Sequence, residues 1–397
     1  EIGDRNFIAN NARWLDQACH RSLYSHQLRV ALQLAIEDPH RAITFLGLAC
    51  SGADITRGLF LRYKGNEWVP NPPELPQLSS VARAQCGDHP TRIRDYPETF
   101  HMRGRIPALK GTVELHRCPR ERARQIDLVL VSIGGNDIGF ARLVANAVLR
   151  DTSTLKLLGG WFGQVHRKED AQQPLKNLDD RFKALNRAIH TMLHVPWEES
   201  DRVILTAYPP IALLEDGRTP CPDGRIGMDV LPAFQLDARI ARESEDISEA
   251  LNKIMQRQSS RRGWTYADGH RDEFVGHGIC AGYLEPVLTM ANELRLPRRI
   301  GGYWQPYNPA NYRAYIDRKR WFRTPNDAFM TGNFHVTGSL LQSVLRSRKL
   351  RWTQLLLAST YSGAFHPTAE GQAAIADSVA RKARAVLERY SGGNLQK

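Results

Sequence analysis

The chain has 397 residues, 42% hydrophobic and 24% charged, the balance of an ordinary soluble globular protein long enough for one large α/β domain or two smaller ones. No apolar run approaches the roughly 18 residues of a membrane-spanning helix. No signal peptide precedes Glu1-Ile2-Gly3-Asp4, which suits a cytosolic protein or a chain recorded after processing. A formal charge of +12 suits an anionic lipid surface, a polyanionic glycan or nucleic acid; no nucleic-acid-binding motif accompanies it, which argues against the last.

In chain order, Leu28, Val30, Ala31, Leu34 and Ala35 predict an amphipathic helix that stops near Pro39. Ile43 to Ala49 predicts a buried strand, ending in the small-residue turn Cys50-Ser51-Gly52-Ala53-Asp54. Residues 64–125 change texture to Pro, Arg and His and predict an ordered insertion, clipped by Cys86 and Cys118. The β-branched run Ile126 to Ile133 predicts a buried parallel strand. It breaks on Gly134-Gly135, presents Asn136-Asp137 and leads into a helix over 140–149. A variable stretch around Gly159-Gly160-Trp161 follows. Leu178, Phe182, Leu185, Ile189 and Leu193 mark a helix, Arg202 to Pro210 a strand stopped by prolines, and Leu236 to Ile254 a long helix. Trp264 to Asp268 gives a last short strand. Residues 298–335 crowd aromatics, Tyr303, Trp304, Tyr307, Tyr312, Tyr315, Trp321 and Phe322, among Arg and Pro. Such a surface suits sugars, lipids or partners, or a lid packed on its own rings. A final helix spans about Ala369 to Arg389, entered through His366-Pro367-Thr368. The alternation of strand and helix predicts a parallel sheet covered on both faces.

Ligands of open α/β sheets bind outside the carboxyl ends of the strands, which directs attention to two turns. Asn136 stands at one such end, where its amide N–H can stabilise a developing oxyanion. The plainer reading is a Gly-Gly turn followed by Asp137 as a helix cap. Gly52 stands at the other. The six cysteines, Cys19, Cys50, Cys86, Cys118, Cys221 and Cys280, form no Cys-x-x-Cys pair, against a zinc ribbon or thioredoxin-like site. Their even number suits disulfides in an oxidising compartment, six buried thiols being the alternative, and their order alone does not choose a pairing.

The order of Cys19-His20-Arg21-Ser22, Ala49-Cys50-Ser51-Gly52-Ala53, Ile133-Gly134-Gly135-Asn136-Asp137, Phe274 to Cys280 and His366-Pro367-Thr368-Ala369-Glu370-Gly371 resembles the SGNH (GDSL-type) hydrolases, closest to their secreted, disulfide-bearing bacterial branch. The resemblance implies a three-layer α/β/α, flavodoxin-like fold over residues 1–397. It implies a carboxylic ester hydrolase working through an acyl-serine, with no metal or cofactor. The Gly52 N–H and Asn136 amide would form the oxyanion hole and His366 would be the general base. The cysteines would pair as Cys19–Cys50, Cys86–Cys118 and Cys221–Cys280. Substrates would be lipid or acylated-glycan esters, and the location secreted or periplasmic.

Two departures stand out. The family's Gly-Asp-Ser block has no counterpart; Gly3-Asp4-Arg5 matches only its first two residues. The expectation is that the first strand and its serine lie upstream of Glu1; the alternative is a catalytically inactive hydrolase-fold protein that binds a glycan or lipid. Where the family often places an acid, three residues before the histidine, this chain has Gly363. That leaves a main-chain carbonyl to orient His366; Asp268 and Asp327 have no assigned role.

Overall fold

The structure is a computed structural model, and it describes residues 15–16, 18–65, 75–96, 113–139, 168–224, 236–281, 299–300, 303–304, 319–324 and 365–391. In order these contain α1 (His26–Glu37), α2 (Gln77–Cys86), β1 (Arg92–Tyr96), β2 (Val113–Arg117), β3 (Val129–Val131), α3 (Lys168–Met192), β4 (Val203–Thr206), α4 (Ala238–Arg262), β5 (Thr265–Ala267), α5 (His270–Glu273), β6 (Arg299–Ile300), β7 (Tyr303–Trp304) and α6 (Ala369–Ser391). The helix expected over 140–149, the Gly159-Gly160-Trp161 stretch, Asp327, and the aromatics Tyr307, Tyr312 and Tyr315 lie outside the described residues.

Strands β3, β4 and β5 form a parallel sheet in that order, with Val129 opposite Val203 and Ile204 opposite Thr265. Their side chains alternate between two helical layers, as the period of two in a strand requires. Val203 and Leu205 enter a core with Phe182, Leu185, Leu251 and Met255 of α3 and α4, while Ile204 enters a second core with Val30, Leu34, Val379 and Ala380 of α1 and α6. The fold is therefore a three-layer α/β/α arrangement. Each fully buried Val, Leu or Ile contributes roughly 1.5–3 kcal/mol through loss of apolar surface from water. Within α4, the carboxylate of Asp237 caps the start by accepting from the Ile240 N–H at 3.0 Å.

Between residues 75 and 125 the described chain forms α2 and the antiparallel hairpin β1–β2, tied by the Cys86–Cys118 disulfide. Leu78, Ala82, Val113 and Leu115 join the α3–α4 core. No periodic apolar signal marks β1, which reads Arg-Ile-Arg-Asp-Tyr, and in β2 the alternation is limited to Val113 and Leu115.

One expected strand is not a strand. Ile43 to Ala49 runs without a ladder or bridge, and Ile43 and Leu46 are 36% and 46% exposed. Its residues have β-type side chains, but a strand also needs a neighbour's backbone, and the described residues provide none.

Candidate active site

Two turns meet at the carboxyl edge of the sheet. After β3, Gly134 takes a φ of +119°, and a short 3₁₀ turn over Asn136–Ile138 follows. Gly135 could carry no side chain: a Cβ there would lie 2.9 Å from the Tyr208 ring, because the Gly135 N–H donates to the Tyr208 hydroxyl at 2.9 Å. Tyr208 is fixed in turn by Asn252 of α4, which accepts from its N–H and donates to its carbonyl. Burial pushes the Tyr208 hydroxyl up to about 12, so it stays protonated.

The second turn carries Gly52 at φ +80°, a conformation suited to glycine. It is moored by the Cys19–Cys50 disulfide and by the Ser51 N–H donating to the Cys19 carbonyl at 3.1 Å. The two turns are joined directly. The Asn136 side-chain amide donates to the Ala53 carbonyl at 2.9 Å, and the Asp137 carboxylate accepts from the Ile55 N–H at 3.2 Å. Behind them Asp137 pairs with Arg181 of α3 at 2.5 Å, both fully enclosed. Burial pushes the Asp137 carboxyl up to about 6, against the pull of the Arg181 guanidinium.

This network leaves donors at the surface. Asn136 is exposed and has a second amide N–H beyond the one given to Ala53. The Gly52 N–H donates to no protein group among the described residues. Two such donors side by side at a sheet edge can stabilise negative charge on an oxygen.

His366 lies on a separate loop ahead of α6. Trp321, Phe322 and Arg323 run alongside that loop. The Phe365 N–H donates to the Arg323 carbonyl at 2.8 Å, the Arg323 N–H to the His366 carbonyl at 3.0 Å, and the Thr368 N–H to the Trp321 carbonyl at 2.7 Å. Trp321 stacks on His277 with ring centroids 3.8 Å apart, and its N–H donates to the His277 carbonyl. Phe365 is held in the left-handed region at φ +66°. The His366 side chain is exposed, and no hydrogen bond among the described residues joins it to Asn136 or Gly52. Below it, the Gln372 side chain in the first turn of α6 accepts from the His26 N–H at 3.0 Å. Its amide oxygen also meets the buried His26 ring at 2.9 Å, and burial lowers that imidazole to about 4.

Of the residues named from the sequence, Gly52 and Asn136 are thus brought together, while His366 sits on the loop ahead of α6 and is hydrogen-bonded to neither among the described residues. The Asp137 carboxylate is engaged by the Ile55 N–H and by Arg181, and the helix it was expected to cap lies outside the described residues. The three disulfides pair as the resemblance implied. Asp268 follows β5 and accepts the Arg271 N–H through its carbonyl. Among the described residues no cluster of three His, Cys, Asp or Glu could hold a metal ion, and no helix is long and apolar enough to cross a membrane. Arg181 and Tyr208 carried no sequence signal beyond their types, since each acts across a long sequence separation.

No family model matches the chain, and no curated protein matches it. Among solved structures it is similar to an extracellular lipase from Streptomyces rimosus, at 18% identity and a TM-score of 0.41, over 72% of this chain and 83% of the lipase. It is also similar to a phospholipase A1 from Streptomyces albidoflavus, at 14% identity and a TM-score of 0.38, over 93% of this chain and 88% of that enzyme.

Proposed function

We propose that this chain is the body of a carboxylic ester hydrolase of SGNH type, acting on lipid or acylated-glycan esters through an acyl-serine. The observation that carries the reading is the pinning of the Gly52 and Asn136 turns side by side at the carboxyl edge of a parallel sheet, with a donor of each left uncommitted among the described residues. In this reading a serine Oγ attacks the ester carbonyl while His366 takes its proton. The Gly52 N–H and Asn136 amide hold the resulting oxyanion. His366 then returns the proton to the departing alcohol, and water releases the acid in a second round. No serine within residues 1–397 is assigned the role of nucleophile in this reading. Three disulfides support a secreted or periplasmic protein, since such bonds persist in oxidising compartments.

The test is labelling with a serine-reactive fluorophosphonate, on this chain and on the full-length encoded protein, followed by peptide mapping. The expected result is one label, on the longer protein only, at a serine ahead of Glu1. In that protein His366→Ala and Asn136→Ala should each lower turnover by about 10²–10³-fold. A label inside residues 1–397, or wild-type rates in either variant, removes the assignment of these residues. No label in a folded, disulfide-intact full-length sample moves the protein to the inactive, ligand-binding alternative.

A further inference from the structure

We infer that the β1–β2 hairpin carries a phosphate-binding site, formed by Arg92, Arg94, Arg117 and Arg120 at the end of the hairpin tied by the Cys86–Cys118 disulfide. The strand register brings the charges together. Arg92 stands directly opposite Arg117, and Arg94 stands opposite Leu115, one step diagonally from Arg117. Opposed residues share a face of the ladder, so these arginines line up with Val113 and Leu115. Glu114, the acid of β2, alternates onto the other face. Arg120 follows in the turn after Cys118 and acts on the same Arg117 charge.

Like charges directly opposite one another destabilise a strand pair. Exposed arginines escape that cost by turning into water, but Arg117 is rooted. It follows the fully buried Leu115 on one face, and its own Nε is enclosed with no hydrogen-bond partner among the described residues. The backbone on either side of it is fixed. The His116 N–H donates to the Ser79 hydroxyl of α2 at 3.1 Å, Cys118 is bonded to Cys86, and the His194 ring meets the Cys118 carbonyl at 2.7 Å. None of the four arginines forms an ion pair among the described residues. Burial, with Arg94 and Arg120 beside it, pushes the Arg117 guanidinium below its usual range, while Glu121 pulls the other way.

A rooted, partly enclosed guanidinium without a counter-charge is a preformed seat for an anion, and the surrounding cations select which kind. The planar fork of an arginine pairs bidentately with a carboxylate or a phosphate. A carboxylate brings one charge and two oxygens, too little for four guanidinium groups gathered around the single acid Glu121. A phosphate group brings up to two charges and three acceptor oxygens, and so meets several forks at once. That group can be free phosphate or the headgroup of an anionic lipid, and the chemistry of recognition is the same for both. Gly52, Asn136 and His366 take no part in this cluster, so the inference does not rest on the ester-hydrolase reading.

Two probes test it on the disulfide-intact protein: inorganic phosphate at about 5 mM, and phosphatidylcholine vesicles carrying about 30% phosphatidylglycerol. Sodium chloride of matched ionic strength and pure phosphatidylcholine vesicles are the controls. Phosphate should raise the thermal midpoint of the wild type by about 2 °C. Arg117→Gln and Arg94→Gln should each remove most of that rise, and Arg117→Lys, which keeps the charge without the fork, should restore less than half of it. Lys253→Gln, which removes a charge from the exposed face of α4, should keep it whole. In chloride alone Arg117→Gln should unfold no earlier than the wild type, since the repulsion leaves with the guanidinium, and this separates a lost site from a lost fold. If phosphate has no effect but the phosphatidylglycerol vesicles sediment the wild type at least about tenfold better than Arg117→Gln, the site takes the lipid headgroup. A phosphate rise or vesicle binding that Arg117→Gln leaves unchanged, a loss as large in Lys253→Gln, or no response to either probe overturns the inference.

Discussion

The two halves of the candidate site are built by opposite means. The Gly52–Asn136 half is welded from behind by a buried ion pair, a disulfide and a tyrosine hydroxyl, so that its surface donors stand on a rigid base. The His366 half hangs on main-chain bonds to the 321–323 segment and on a histidine–glutamine contact beneath α6. Preorganised donors gain from rigidity because they need not reorient as charge develops. The difference teaches that two neighbouring loops can be fixed by unlike means, one by side-chain and covalent ties and the other by backbone pairing.

Three changes would break or sharpen this contrast. The largest effect is expected from Arg181→Met, which leaves Asp137 enclosed without its cation and should cost about 3–5 kcal/mol in urea unfolding. Because burial already pushes Asp137 up to about 6, the loss should be smaller at pH 5 than at pH 8, where the carboxylate is charged. Replacing both partners by apolar residues should recover most of it.

Acid is the next lever, and it acts on the halves in opposite senses. The folded-state His26 is lowered to about 4, so it contributes stability that is whole above pH 6.5 and is lost as pH falls toward 4, up to about 3 kcal/mol. The folded-state Asp137 is raised, so its contribution is whole at low pH and is lost as pH rises through about 6. Intrinsic-rate-corrected hydrogen exchange between pH 7 and 4.5 should therefore loosen residues 365–375 before residues 134–139. Loosening in the reverse order would contradict the contrast. The smallest effect belongs to Asn136→Ala, an exposed side chain giving up one hydrogen bond. It should shift unfolding by only about 1 kcal/mol, unlike Arg181→Met one layer below.

Much of this architecture was legible in local pattern. The spacing of Leu178, Phe182, Leu185 and Ile189 reports a helix face, and Val203–Thr206 reports a strand buried on both sides, because each pattern is written within a few residues. The two turns were legible for the same reason: glycines at strand ends mark where backbone must bend. What local pattern could not carry was pairing. Nothing near Asp137 in the sequence announces Arg181, far along the chain, which closes on its carboxylate. Ile43–Ala49 reads as a buried strand because its residues are suited to one, yet suitability does not supply the neighbour that would bury it. The β1–β2 hairpin escaped for the converse reason, since its anchoring is by Cys86–Cys118 and by only two core residues, Val113 and Leu115 of β2, with β1 carrying no apolar rhythm.

The cysteine connectivity has a consequence for how the protein is made. Each cysteine is bonded to the next one along the chain, Cys19 to Cys50, Cys86 to Cys118 and Cys221 to Cys280, so the three closed loops follow one another without interleaving. A chain threading amino end first into an oxidising space can therefore couple each thiol to the first one that emerges after it. The native set is also the set that vectorial oxidation writes, loop by loop, with no wrong bond to be reopened and no shuffling catalyst needed to reach it.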